Sequence, residues 1–133
     1  MKLRDKPCIE LPEDVDAHCV SLCNLLNRIP ELQTIESCCG HFKNPYMVFF
    51  ICNDLRVLRR LARVADRNYS DGKWVIELCN SDRQPKNVFL LRTHESFKDE
   101  KEMTESYYGL LYSIYHWFSD EFDTYFDDTI TEQ

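Results

Sequence analysis

Two thiols, an imidazole and a glycine come together in one short stretch of the chain, residues 34–41. The residues before Cys38 have the character of a strand, so Cys38, Cys39 and His41 are expected in the turn where that strand ends. Gly40 permits a positive φ there, which turns successive N–H groups outward in a geometry that binds anions. A thiol beside such amides and an imidazole would have a lowered pKa and therefore nucleophilic or metal-binding character.

Three interpretations of this turn are open. The first is a structural turn with one buried cysteine, because Cys is among the most buried residue types and Gly commonly ends a strand. The second is a ligand pocket built from the turn backbone and nearby basic side chains. Its contact residues would be Cys39, Gly40, His41, Lys43 and Arg92. The third is metal binding or thiol chemistry.

In the metal interpretation, His94 is the other histidine that could join Cys39 and His41. The motif lacks a second Cys-x-x-Cys or histidine pair at ligand spacing, which disfavours a structural zinc site. Catalysis by a cysteine and a histidine needs a base aimed at the sulfur, and spacing alone does not show that. We therefore assign no catalytic residue and no cofactor.

The two thiols of the turn should differ. Neighbouring strand residues point to opposite faces, so we expect Cys38 to be held against the core. Cys39, beyond the strand end, should be the more exposed and the more acidic thiol. The chain has seven cysteines, an odd number, and no secretory segment precedes them. This predicts reduced thiols, most of which act as small buried apolar groups.

The composition predicts a single domain, residues 1–133. With 133 residues and 44% hydrophobic content, the chain is long enough for one core. No apolar run approaches the roughly 20 residues that span a bilayer, and no apolar signal core follows the charged N-terminus. We therefore expect a soluble, cytoplasmic protein without membrane contact. Residues 1–11 are interpreted as an extended leader, and residues 123–133 as an acidic, disordered tail.

The net charge of −7 disfavours binding to a DNA backbone, which depends on clustered Lys and Arg. The charge is unevenly spread, because residues 54–67 carry five arginines whereas residues 120–132 are almost purely acidic. A local basic face of this kind can still hold a small anion or an acidic partner. The sequence also leaves open whether the protein forms a homo-oligomer.

Periodic patterns predict the order α-β-β-α-β-β-α. Helices are expected at residues 12–28, from the cap at 53–54 to near 67, and at 99–122, and strands at 32–37, 46–52, 73–79 and 87–93. The simplest assembly is an α+β domain with a four-stranded antiparallel sheet and the helices packed on one face.

One core should contain Leu26, Phe49, Leu61, Ile76, Leu90 and Ile114. Tyr108, Tyr112 and Tyr115 lie off the apolar stripe of the last helix and should pack under the leader or the first helix. The alternative is that they form a surface that binds a partner.

Several segments of the chain resemble a known family. They are the string from Leu25 to His41, the aromatic strand after it, Asn53-Asp54-Leu55 at the start of a helix and Trp74-Val75-Ile76 at the start of a strand. The members of this family are small uncharacterised bacterial and phage proteins with a Ser-Cys-Cys-Gly-His turn. The match runs over about residues 10–91 and is specific only in the turn. This sequence has Phe42-Lys43 where the family usually has a glycine and a base. A fainter likeness of about five residues links the turn to the Ser-Cys-Ser-Gly-Arg segment of wybutosine-synthesis methyltransferases, but no glycine-rich cofactor loop is present to support methyl transfer.

The resemblance implies a phage or mobile-element setting, in which small acidic proteins often act by binding. The expected function is a non-enzymatic binding protein that inhibits a host defence protein or sequesters a small phosphorylated signal. Its partner would accordingly be a host protein or a small phosphorylated ligand. The alternative is a thiol- or metal-dependent enzyme that acts on a nucleotide or RNA through the Cys38–His41 turn.

Overall fold

The computed structural model describes residues 2–66, 72–79 and 87–118. The helices in this part of the chain are α1 (Val20–Leu26), α2 (Leu55–Asp66) and α3 (Glu100–Trp117), and the strands are β1 (Leu32–Cys38), β2 (Met47–Cys52), β3 (Trp74–Leu78) and β4 (Val88–Thr93). Short 3₁₀ turns at Ala17–Cys19 and Gly40–Phe42 precede α1 and follow β1. The order α-β-β-α-β-β-α and the α+β class are confirmed.

The sheet is antiparallel throughout, in the order β1-β2-β4-β3. Strands β2 and β4 are therefore central, and β1 lies at one edge. The register shifts between Thr34 and Glu36, so Ile35 forms a bulge in β1. A bulge inserts one extra residue and exchanges the two faces for every residue that follows it. Cys38 and Cys39 both follow this bulge.

All three helices cover one face of the sheet. Buried side chains from every element meet there, among them Leu22, Leu26, Val48, Phe50, Leu61, Leu91, Leu110 and Ile114. Helix α1 starts later than expected, because the Asp16 carboxylate accepts the His18 N–H (3.0 Å) and caps the chain at Ala17 rather than at Pro12. Asp99 caps α3 in the same way by accepting the Glu102 N–H at 2.8 Å.

The predicted core was correct for its helical members and wrong for two strand residues. Leu26, Leu61 and Ile114 are fully buried, and Ile76 packs against the core while partly exposed. Phe49 and Leu90 face the opposite side of the sheet and are only half-buried. Strand β2 is apolar on both faces, so composition alone did not show which face the helices cover.

The tyrosine prediction also needs correction. Tyr108, Tyr112 and Tyr115 remain exposed by about half of their surface. Tyr115 contacts the chain just after α1, where the Arg28 guanidinium lies 5.5 Å from its ring centre and donates to its hydroxyl (3.1 Å).

Two further predictions concern helix ends and charges. Helix α3 ends at Trp117 rather than near residue 122, because Phe118 has left the helical conformation (φ −98°, ψ 68°). On α2, Arg60 is buried and its guanidinium lies 5.6 Å from the Phe118 ring centre, so it does not belong to the basic face expected from the arginines of residues 54–67. Such a contact between a cation and an aromatic face is favourable when both are desolvated.

Some predictions fall outside the described residues. These are the end of α2 at residue 67, the turns at 68–71 and 80–86, and the acidic tail at 123–133. Within the described residues, no helix is long and apolar enough to cross a membrane.

Candidate functional site

The turn after β1 has an unusual backbone. Gly40, His41 and Phe42 all have positive φ values, of 83°, 53° and 64°. The N–H groups of Lys43 and Asn44 both donate to the Gly40 carbonyl, at 3.1 and 3.0 Å, which closes the turn tightly. Non-glycine residues adopt positive φ only where the surrounding structure holds them there, so two such residues in succession mark a constrained segment.

Asp16 occupies the centre of this turn, although it precedes the turn by more than 20 residues. Its carboxylate accepts the N–H groups of Cys39 (3.2 Å) and His18 (3.0 Å). The imidazoles of His41 and His18 approach the same carboxylate at 3.7 and 3.6 Å. Asp16 therefore joins the N-terminus of α1 to the exit of β1, and four groups converge on one acid.

Two effects oppose each other at this carboxylate. Burial raises the pKa of Asp16, whereas hydrogen bonds from the Cys39 thiol, the His18 N–H and the Cys39 N–H, together with nearby His41, lower it. The lowering effects win, so the pKa of Asp16 lies below its ordinary value. The side chain is accordingly ionised at neutral pH and places a negative charge inside the turn.

The two thiols of the turn are arranged in the opposite way to our expectation. Cys39 is buried, at 3% exposure, and belongs to the core. Cys38 is half-buried, and its sulfur accepts the Gly40 N–H at 3.4 Å. The bulge at Ile35 explains the reversal, since strict alternation from buried Thr34 would have turned Cys38 toward the core.

The same burial removes the expected reactivity of Cys39. Desolvation, and then a hydrogen bond to the Asp16 carboxylate, raise the pKa of the Cys39 thiol to about 11. Very little thiolate exists at neutral pH when the pKa is this high. The prediction that Cys39 is the more acidic and exposed thiol is therefore wrong, and a thiolate nucleophile at this position is not supported.

This reversal predicts the order of alkylation in chelator-treated native protein. We expect iodoacetamide to label Cys38 well before Cys39 at pH 7, because Cys39 is both buried and protonated. Labelling of Cys39 should accelerate as the pH rises toward 11. Peptide mapping by mass spectrometry measures both rates, with exposed Cys8 as the internal reference. Earlier labelling of Cys39 than of Cys38 would contradict the assignment of faces.

The structure does not bring all the predicted contact residues together. Cys39, Gly40, His41 and Lys43 are consecutive or nearly so at the turn. Arg92 lies in the cross-strand row Cys38–Met47–Arg92, two strands or about 10 Å from Cys38. Its guanidinium pairs with Glu77 and donates to the Thr93 carbonyl (3.0 Å).

His94 is also placed elsewhere. It is exposed, and its N–H bonds the Lys73 carbonyl (3.0 Å) beside β3. The structure instead brings Asp16 and His18 to the turn, which sequence reasoning missed. The signal that could have found them is the Asp-x-His pattern at a helix start, where an acid is a common cap.

A second feature lies on the outer side of β1. A cavity of about 770 Å³ separates this edge strand from the leader. It is lined by the leader residues 9–12, 14 and 15, by Cys23 of α1, by residues 33–37 of β1 and by Ile51 of β2. We call this cavity the edge cleft.

Side chains satisfy the β1 backbone at both ends of the edge cleft. At one end, buried Asn27 exchanges two hydrogen bonds of 2.8 Å with Thr34, one from the Thr34 N–H and one to its hydroxyl. At the other end, Asp16 accepts the Cys39 N–H. The strand between these bonds, residues 35–37, lines the cleft. Asn27 is fully buried, so its two hydrogen bonds anchor the edge strand.

No family model, curated protein or solved structure matches the chain. The resemblance of the turn to small phage proteins consequently stays a prediction.

Proposed function

We propose that the protein is a non-enzymatic binding protein that captures an extended, basic segment of a partner protein along the outer edge of β1. The observation that supports this proposal is the edge cleft, a space of about 770 Å³ beside a strand that has one sheet neighbour among the described residues. An edge strand presents unpaired backbone groups that recruit a further strand. Many peptide-binding proteins use this mode, in which backbone bonds give affinity and alternate side chains enter pockets.

The walls of the edge cleft define the side chains that it accepts. Ile9, Leu11, Val15, Ile35 and Ile51 contribute apolar surface along its length. An extended segment points every second side chain the same way, so alternate apolar residues would face these walls. The opposite side of such a segment would remain in water. The cleft therefore favours an amphipathic strand as its occupant.

The charge of the edge cleft selects a basic occupant. Glu10, Asp14 and Glu36 line it, and the whole chain carries a net charge of −7. Complementary charge steers association and rejects partners of the same sign. Lys or Arg at the water-facing positions of the bound segment would meet these acids at the rim.

The groups at the turn argue against the other partner class, a small phosphorylated ligand. The Asp16 carboxylate already accepts the Cys39 N–H, and the Gly40 N–H is directed to the Cys38 sulfur. Both amides are thus committed, and an ionised acid repels phosphate. Among the two partner classes, a host protein is the one that we propose, in keeping with the resemblance to phage proteins.

A model peptide tests this proposal. A fluorescein-labelled peptide of seven alternating Lys and Val residues should bind the protein, and its Glu/Val counterpart should bind at least about tenfold more weakly, a difference of about 1.4 kcal/mol. We expect Glu36→Lys to weaken the Lys/Val peptide about three- to tenfold, because one complementary charge becomes repulsive. Fluorescence anisotropy at fixed ionic strength measures each dissociation constant.

Matched controls separate strand pairing from simple charge attraction. Glu105→Lys changes the net charge by the same amount at an exposed site on α3, away from the edge cleft, and should leave binding unchanged. A Lys/Val peptide with a methyl group on every backbone nitrogen has no N–H to donate from either edge and should lose binding. Equal effects of Glu36→Lys and Glu105→Lys would contradict the proposal. So would a rise in Tm with nucleotides in the absence of any peptide binding.

A further inference from the structure

Four potential metal ligands gather around the Asp16 carboxylate at the turn, which is a fifth. Donor atoms of Asp16, Cys38 and His41 all lie within 4.8 Å of one another, and so do those of Asp16, His18 and Cys39. The two trios share Asp16. The first trio is the more open one, since the His41 side chain is 73% exposed and Cys38 is half-buried, whereas Cys39 belongs to the core.

The distances fit ligands of one metal better than they fit hydrogen bonds. His41 Nε2 lies 3.7 Å from Asp16 Oδ2, and His18 Nδ1 lies 3.6 Å from Asp16 Oδ1. Both separations are too long for a nitrogen–oxygen hydrogen bond. On a tetrahedral Zn²⁺ with bonds of about 2.0–2.3 Å, neighbouring donor atoms lie about 3.3–3.8 Å apart. Small rotations of the side chains would bring the first trio to this geometry.

The donors are also held in place by the surrounding backbone. The N–H groups of Cys39 and His18 fix both oxygens of Asp16, and the Gly40 N–H fixes the Cys38 sulfur. Such contacts orient the ligands of metal sites before the metal arrives. His18 is oriented in turn by Glu100, whose carboxylate lies 3.4 Å from its Nε2. Both acids make the local potential negative, which favours a cation.

We propose that the turn binds one divalent transition-metal ion of the zinc type through Asp16, Cys38 and His41. Thiolate, imidazole and carboxylate together select Zn²⁺ over Mg²⁺ and Ca²⁺, which take oxygen ligands. Binding replaces the proton on the Cys38 sulfur, which passes to solvent. The ion would fasten the start of α1, through Asp16, to the exit of β1. Asp16 lies at one end of the edge cleft, but none of the three ligands lines it, so neither proposal depends on the other.

Zinc titration tests this site directly. Protein freed of metal with EDTA and then dialysed is titrated with ZnSO₄ in competition with a chromophoric chelator, and we expect one Zn²⁺ per chain. Cys38→Ser and His41→Ala should each weaken binding at least about tenfold. His41 is largely exposed, so His41→Ala should keep the far-ultraviolet circular dichroism of the parent protein. Cys8→Ser and His94→Ala provide the matched controls, because both residues are exposed and lie outside the two trios, and they should bind zinc as the parent does.

Two additional measurements identify the ligands. Co²⁺ in place of Zn²⁺ should give thiolate-to-metal charge-transfer absorption that disappears in Cys38→Ser. Bound Zn²⁺ should also protect Cys38 from iodoacetamide while Cys8 is still labelled. The proposal is overturned if zinc binds equally to the parent protein, Cys38→Ser and His41→Ala, or if the parent protein binds no zinc. Loss confined to Cys39→Ser and His18→Ala would overturn the assignment to the open trio.

Discussion

Replacing Gly40 with alanine should lower the free energy of unfolding by about 2–5 kcal/mol, whereas Gly72→Ala should cost only about 1–2 kcal/mol. Both glycines have a left-handed backbone, with φ values of 83° and 72°, so both substitutions carry the same conformational penalty. They differ in the space around the new methyl group. At Gly40 it would lie 2.8 Å from the Pro45 carbonyl oxygen and 3.0 Å from the carbonyl carbon, whereas at Gly72 no atom of the described residues lies within 4 Å.

The clash at Gly40 is costly because its neighbour is backbone rather than a flexible side chain. Pro45 directly precedes Tyr46, a fully buried residue whose hydroxyl donates to the His18 carbonyl (2.7 Å). The segment therefore has little freedom to retreat. Urea unfolding of both variants measures the two costs, with Gly72→Ala as the control for backbone conformation alone. Equal losses would mean that the turn relaxes and that Gly40 is needed only for its φ.

The elements of the fold were predictable because each has its own periodic pattern. Alternating and continuous apolar runs marked the four strands, and three- and four-residue spacing marked the helices. The faces were less predictable. Ile35 adds one residue to β1, and no local signal in its sequence distinguishes a bulge from regular alternation. That single residue reversed the assignment of Cys38 and Cys39.

The candidate site was predictable only in its contiguous part. Cys39, Gly40 and His41 are neighbours in sequence, so their chemistry could be recognised together. Asp16 reaches them through packing of α1 against β1, and sequence spacing contains no information on such a contact. Pro12 is a plausible first residue of a helix, so the helix was expected to start there. Asp16, the real cap, was therefore not recognised. The edge cleft was missed for a similar reason, since it forms where the leader lies beside β1, and sequence spacing contains no information on that arrangement.

Adjacent phenylalanines in β2 offer a direct test of the assigned faces. Phe50→Ala should lower the free energy of unfolding by about 3–5 kcal/mol, the usual cost of removing a large buried aromatic side chain. Phe50 is fully buried among the helices, and its ring lies 5.8 Å from that of Phe89 across the strand pair. Phe49→Ala should cost only about 1–2 kcal/mol, because its ring is half-buried on the other face.

The comparison is well controlled because both variants remove the same atoms from consecutive positions of one strand. Differences in β propensity between alanine and phenylalanine are shared, so the excess cost of Phe50→Ala reports burial against the helices. Urea denaturation followed by circular dichroism gives both values, provided that the slope of each transition is unchanged. Equal costs at the two positions, or a larger cost at Phe49, would show that the helices cover the opposite face of β2.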